Sequence, residues 1–185
     1  MRLTSLPRLL AGLTAGVALA LTTTVLAQDV SYNAMPGTSF AKFKTYKWVA
    51  IKSATAPDQI TDTMIKNAID AELTKKGLAK TESDDADLYI GYQAAVDHST
   101  EWTAFNSGGV GYGYGFGGGM TTMTQDTIAT GTLNLDMYDR AAKELVWRGR
   151  ASKTLDPKAS PEKRQNNITK AVAKMLKNYP PPVKK

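Results

Sequence analysis

The sequence has no cysteine. That excludes disulfides, thiolate metal sites and a cysteine nucleophile, and it removes the residue that would carry a lipoprotein's lipid. Histidine is nearly absent, His98 being the only one. A zinc site would have to be built mostly from carboxylates, which is an uncommon set. No metal and no cofactor is expected. His98 sits beside Asp97, but neighbours on an extended chain point to opposite faces, and neither a nucleophile nor an oxyanion hole is marked nearby. It reads as an exposed loop residue, and no catalytic residue is assigned.

Long apolar runs are missing too, with one exception at the N-terminus. Arg2 and Arg8 precede an apolar run from Leu9 to Leu21, three threonines lower the hydropathy, and Val25-Leu26-Ala27 forms a small-residue cleavage pattern before Gln28. Those are the three parts of a secretory signal. Residues 1–27 are therefore expected to be a cleaved signal peptide; the alternative is a marginal inner-membrane anchor from Leu9 to Ala27. The remaining 158 residues suit one soluble periplasmic domain, with no later stretch long enough to span a bilayer. The formal charge of +6 falls to about +4 once Arg2 and Arg8 are set aside. That mild excess fits an anionic lipid or glycan neighbour, while the scattered lysines and arginines argue against nucleic acid.

The order of elements predicts an α+β fold. Val30 to Tyr32 reads as a short strand, and Phe43 to Ala50 as a second, rich in aromatic and β-branched residues. Helix one runs from Asp62 to Lys76, with Ile65, Ala68, Ile69 and Leu73 at helical spacing and Gly77 as its stop. Glu72 falls on the apolar stripe and is expected to pair with Lys76. Strands follow from Ala86 to Val96, Thr127 to Tyr138 and Leu145 to Thr154, with Ser83-Asp84-Asp85 as a solvated turn. The short Arg140–Glu144 link predicts a hairpin, and its register brings Asp136 to Arg148. Helix two begins with Ser160 as N-cap and Pro161 at the first position. Ile168, Val172, Met175, Leu176 and Tyr179 line one side, and Pro180 to Pro182 end it. The expected architecture is a two-layer sandwich, one largely antiparallel sheet of four to five strands with two helices on one face.

Three features bear on binding or catalysis. Eight of the twelve residues from Gly108 to Gly119 are glycine, interleaved with Tyr112, Tyr114 and Phe116. Gly113, Gly115 and Gly118 match a dinucleotide pattern in letters only, because no helix follows. The segment, part of a flexible loop at 106–120, is either a tether between strands or an aromatic arm that stacks on a sugar, peptide or membrane interface. Lys170, Lys174 and Lys177 fall on the polar side of helix two, either as its solvated face or as a surface for anionic partners. Asp97, Glu101, Asp126 and Asp136 are the acids available for a two-carboxylate hydrolase of cell wall or polysaccharide.

Several phrases together resemble one family. Phe40-Ala41-Lys42-Phe43-Lys44-Thr45-Tyr46-Lys47-Trp48 resembles the opening signature of the DUF4136 domain, and Ala86-Asp87-Leu88 resembles its next strand start. Gly131 to Asp139 and Leu145-Val146-Trp147-Arg148-Gly149 resemble its hairpin, and Tyr179-Pro180-Pro181 its ending. Order and spacing carry the resemblance, which covers Val30 to Pro181 and implies a single domain within 28–185. It implies a bacterial envelope protein of undefined activity, with no catalytic residues to transfer and Trp48 and Trp147 as packing residues. The leading reading is a non-enzymatic domain that binds an envelope protein, glycan or anionic lipid surface or supports envelope assembly.

Overall fold

The computed structural model describes residues 28–51, 57–106 and 121–182. The expected signal segment and the loop residues Tyr112, Tyr114 and Phe116 lie outside them. Six strands form one sheet: β1 (Asp29–Ala34), β2 (Thr45–Trp48), β3 (Ala79–Lys80), β4 (Leu88–Asn106), β5 (Thr121–Asp139) and β6 (Glu144–Thr154). Two helices, α1 (Gln59–Lys75) and α2 (Pro161–Met175), complete the α+β fold. Among the described residues no helix is long and apolar enough to cross a membrane.

The sheet order is β1-β6-β5-β4-β2-β3, which corrects the expectation of four to five largely antiparallel strands. The sheet is mixed: β2 runs parallel to both β3 and β4, while the other pairs are antiparallel. The cause is α1, which carries the chain back along the sheet after β2 so that the following strands run the same way. The extra strand, β3, is only two residues long. Phe40–Lys42 forms a short 3₁₀ turn, so β2 is shorter than its aromatic stretch suggests. The hairpin of β4 and β5 is longer than its apolar alternation: their ladder is unbroken from Leu88↔Asp139 to Asn106↔Thr121. Past Val96 the ladder continues although residues 97–101 and 125–127 are exposed.

Both helices cover the same face. Ile65, Ala68, Ile69 and Leu73 of α1 and Val172 and Met175 of α2 are buried with Tyr46, Leu88, Ile90, Leu133, Leu135, Met137 and Trp147 in one cluster. Two carboxylates of α1 tie it to the sheet. Asp70 Oδ1 accepts from the Tyr46 hydroxyl and from Trp48 Nε1, both at 2.8 Å, and Asp62 Oδ1 accepts from the Tyr92 hydroxyl at 2.5 Å. That bond and Lys66 hold the Asp62 carboxyl below its ordinary range, while burial and the neighbouring carboxylates push the Tyr46 and Tyr92 phenols up. α1 starts at Asp58, whose carboxylate accepts from the Ile60 and Thr61 amides, one turn earlier than periodicity places it. α2 starts at Ser160 with Pro161 in its first turn, as the sequence predicts. Glu72 pairs with Lys75 at 2.6 Å, three residues on, and not with Lys76.

Candidate ligand cleft between sheet and helices

The register lets the helix-facing side of the sheet be read in rows. One row is Trp48, Ile90, Met137, Trp147 and Ala34; the next is Tyr92, Leu135, Gly149 and Tyr32. The third is Ala94, Leu133, Ala151 and Val30, the fourth Val96, Gly131 and Lys153, and the fifth His98 and Ala129. Side-chain volume falls over the first three rows, and Gly131 and Ala129 keep the middle of the next two small. Large residues fill the space under the helices at one end, and small ones leave it open at the other.

The open space is a cleft of about 990 Å³. Its floor includes Ala94, Ala129, Gly131 and Ala151, and its roof is the first half of α1, with Met64 and Ile65, and α2 as far as Ala171, with Ile168. Leu155 folds against Gly131, where a Cβ would lie 2.9 Å from the leucine Cδ2. Val96 and Leu155 stay 53% and 40% exposed at the mouth, two of the few large apolar side chains open to solvent among the described residues.

Polar groups rim this space, and most are already bonded. Asp58 caps α1 and also accepts from the Thr61 hydroxyl. Asp156 accepts from the Lys158 amide and pairs with Lys163, which holds its carboxyl below the usual range. Lys153 donates to Asn167 Oδ1 at 2.9 Å, bridging β6 and α2, and Arg164 Nε donates to the Ala159 carbonyl at 3.0 Å. His98 is exposed, as expected, but it lies within β4 and not in a loop, at the end of the cleft. Asp97 points away from it, as strand alternation requires.

The other expected residues lie elsewhere. By alternation, Asp97, Glu101, Asp126 and Asp136 all sit on the face of the sheet away from the helices. Asp136 is buried and bound by Arg148 through two bonds, of 2.5 and 2.6 Å, as the hairpin register predicts. That carboxylate pushes the guanidinium further up. Glu101 and Asp126 face one another directly across the ladder and are exposed. The four acids therefore do not meet in a concave site. Lys170 and Lys174 on α2 and Lys177 in the 3₁₀ turn that follows it (Leu176–Asn178) are exposed, outside the cleft and without an ion pair among the described residues.

A family model described as a domain of unknown function, DUF4136, matches residues 29–181. The chain belongs to the DUF4136 family. Its recognisable phrases are explained by contacts within the DUF4136 fold itself. Tyr46 and Trp48 reach Asp70. Asp87 accepts from the Lys44 and Thr45 amides, which together with Thr45 Oγ1 hold its carboxyl low. Asp139 takes Lys42 at 2.6 Å and the Ala141 and Ala142 amides, with the lysine the larger cause of its lowered titration. Trp147 stacks on Tyr32 and meets Tyr179 edge-on. The phrases mark chiefly the scaffold, and of them the Gly131 to Asp139 phrase also reaches the cleft, through Gly131 and Leu133.

No curated protein matches the DUF4136 chain in sequence. Among solved structures, a PDZ domain protein from Parabacteroides distasonis is similar at a TM-score of 0.52 and 18% identity. The match covers 85% of this chain and 37% of that protein, so the chain spans little more than a third of it. The likeness is one of fold alone. A PelC dodecamer subunit from Paraburkholderia phytofirmans is similar at a TM-score of 0.47 and 13% identity, over 81% of this chain and 95% of that one.

Proposed function

We propose that this DUF4136 chain is exported to the bacterial periplasm, is released by cleavage after Ala27, and acts there as a non-enzymatic binding domain whose ligand enters the cleft. One observation carries the reading: a cleft large enough for a ligand, with an apolar floor and roof, opens where the sheet outruns its helices. Its acids are engaged in capping and pairing, so it is built to hold a molecule and not to cleave one. The paired-carboxylate hydrolase has no such support, since its acids lie on the opposite face of the sheet, Asp136 buried against Arg148 and the others exposed. Export rests on the charged, apolar and small-residue parts of residues 1–27.

The test uses protein isolated from the periplasm of cells expressing the full-length sequence. Native mass spectrometry is expected to show a chain beginning at Gln28 and carrying a bound apolar molecule of reproducible mass. An Ala129→Phe variant, which fills the floor, should fold and lose that molecule. An intact Met1 would overturn the export reading, and an adduct unchanged in Ala129→Phe would overturn the cleft.

A further inference from the structure

Among the described residues some lysines and arginines pair with carboxylates and others, such as the exposed Lys170, Lys174 and Lys177, do not; what sets Lys153 apart is its place in the cleft. Eight lysine or arginine side chains pair with carboxylates among the described residues, including Lys42 with Asp139, Lys66 with Asp62 and Arg148 with Asp136. Lys153 does not. Its strand position turns it toward the helices, it is half-buried, and its ammonium meets only a neutral amide oxygen. Arg164, at the rim of the same cleft, is exposed to solvent and donates to a backbone carbonyl, so it needs no counter-charge but can reach an anion bound beside Lys153. The two carboxylates nearby, Asp58 and Asp156, are taken up by the start of α1 and by Lys163. A positive charge turned into a largely apolar space without a counter-charge is costly unless an anion joins it. Beside these cations lie Ala94, Ala129, Gly131, Leu133, Ile168 and Ala171, with the size and apolar character of a site for an extended hydrocarbon.

We infer that the cleft takes an anionic amphiphile: an alkyl or acyl chain lies along the floor of β4, β5 and β6, and its anionic head meets Lys153 and Arg164. This rests on the reading of the cleft as the binding site and names the chemistry that fills it. The shared requirement is a hydrocarbon chain ending in an anion, whether a free carboxylate or the head group of a lipid.

The mature protein, isolated as above and stripped of lipid, is titrated calorimetrically with dodecanoate and separately with 1-dodecanol. One equivalent of dodecanoate is expected to bind, at least tenfold more tightly than the alcohol. In a Lys153→Gln, Arg164→Gln double variant that preference should vanish while alcohol binding is unchanged. Added salt should weaken dodecanoate alone in the wild-type protein, which keeps the charge test available if the double variant does not fold. Ala129→Phe, or Ala94→Phe in its place, should abolish binding of both.

Equal affinities for the acid and the alcohol, insensitive to salt and to the double variant, would overturn the anionic head and leave the cleft standing. Absence of binding by either probe, or unchanged binding in both filled variants, would overturn the cleft as well. Vesicles of phosphatidylglycerol and of phosphatidylcholine separate the sources. Uptake from phosphatidylglycerol alone assigns the head to a lipid, and uptake of dodecanoate without either phospholipid assigns it to a free acid.

Discussion

The indole of Trp147 lies across Gly149, two positions along the same strand, where a Cβ would meet the indole ring and stand 2.6 Å from Met175 Cγ. The missing side chain at Gly149 makes the space in which Trp147, 1% exposed, stacks on Tyr32 and touches Tyr179. Gly149→Ala should overpack the join of β6 and α2 and cost about 1–3 kcal/mol. Chemical denaturation checks it through a lowered midpoint at unchanged slope.

Asp70 gathers two aromatic donors from β2, and the Tyr46 side chain is fully buried. Asp70→Ala leaves the Tyr46 hydroxyl without its acceptor and should destabilise by about 1–3 kcal/mol. Asp70→Asn keeps an acceptor oxygen and should lose less. The ordering of the two unfolding midpoints decides, and equal losses would show that the bonds contribute nothing.

Acid should loosen the contact between Lys42 and Asp139. The lysine holds the Asp139 carboxyl below its ordinary range, so the folded state binds that proton less readily than the unfolded chain. The resulting stability is complete above the unfolded value of about 3.9 and is lost as pH falls from there through the lower folded value. Lys42→Met should therefore be less stable than wild type at pH 7, with the gap closing as Asp139 protonates. Denaturant midpoints from pH 7 down to pH 2 would show it, and a constant gap would refute it.

Glu101 and Asp126 oppose one another across the β4–β5 ladder, an arrangement that sets like charges side by side. Glu101→Lys replaces repulsion with attraction and should stabilise the hairpin locally by about 0.2–1 kcal/mol. Slower hydrogen exchange at the flanking amides is the readout. Faster exchange would mean that the carboxylates are held in some other way.

Local signals foretold much of the fold. Leu88, Ile90, Tyr92 and Ala94 alternate because one face of β4 is covered, and Ser160-Pro161 starts α2 because both residues suit a helix start. The Asp136–Arg148 pair follows from a short turn between two strands. What depended on distant partners was illegible. Ala79–Lys80 becomes a strand only because Thr45 and Tyr46 lie beside it. Nothing local marks Asp70, or Asp62 beyond its place near the helix start, as a partner of the sheet's aromatics. The cleft was missed for the same reason. Ala94, Ala129, Gly131 and Ala151 lie on three strands, and only the register makes them neighbours. The available signal was small residues at core-facing strand positions, where large ones would fill the gap.

The long β4–β5 hairpin gives the exposed acids another role. Beyond Gly91 on one strand and Ala129 on the other, no described strand flanks it, so each side carries a row of amide and carbonyl groups open to pairing. Such a border invites strand addition by another copy. Asp97, Glu101 and Asp126 stand along that border as charges which oppose stacking of one hairpin on the next. Three of the carboxylates that first suggested a hydrolase are thus placed where charges on a bare edge disfavour strand addition, while the fourth, Asp136, is buried against Arg148.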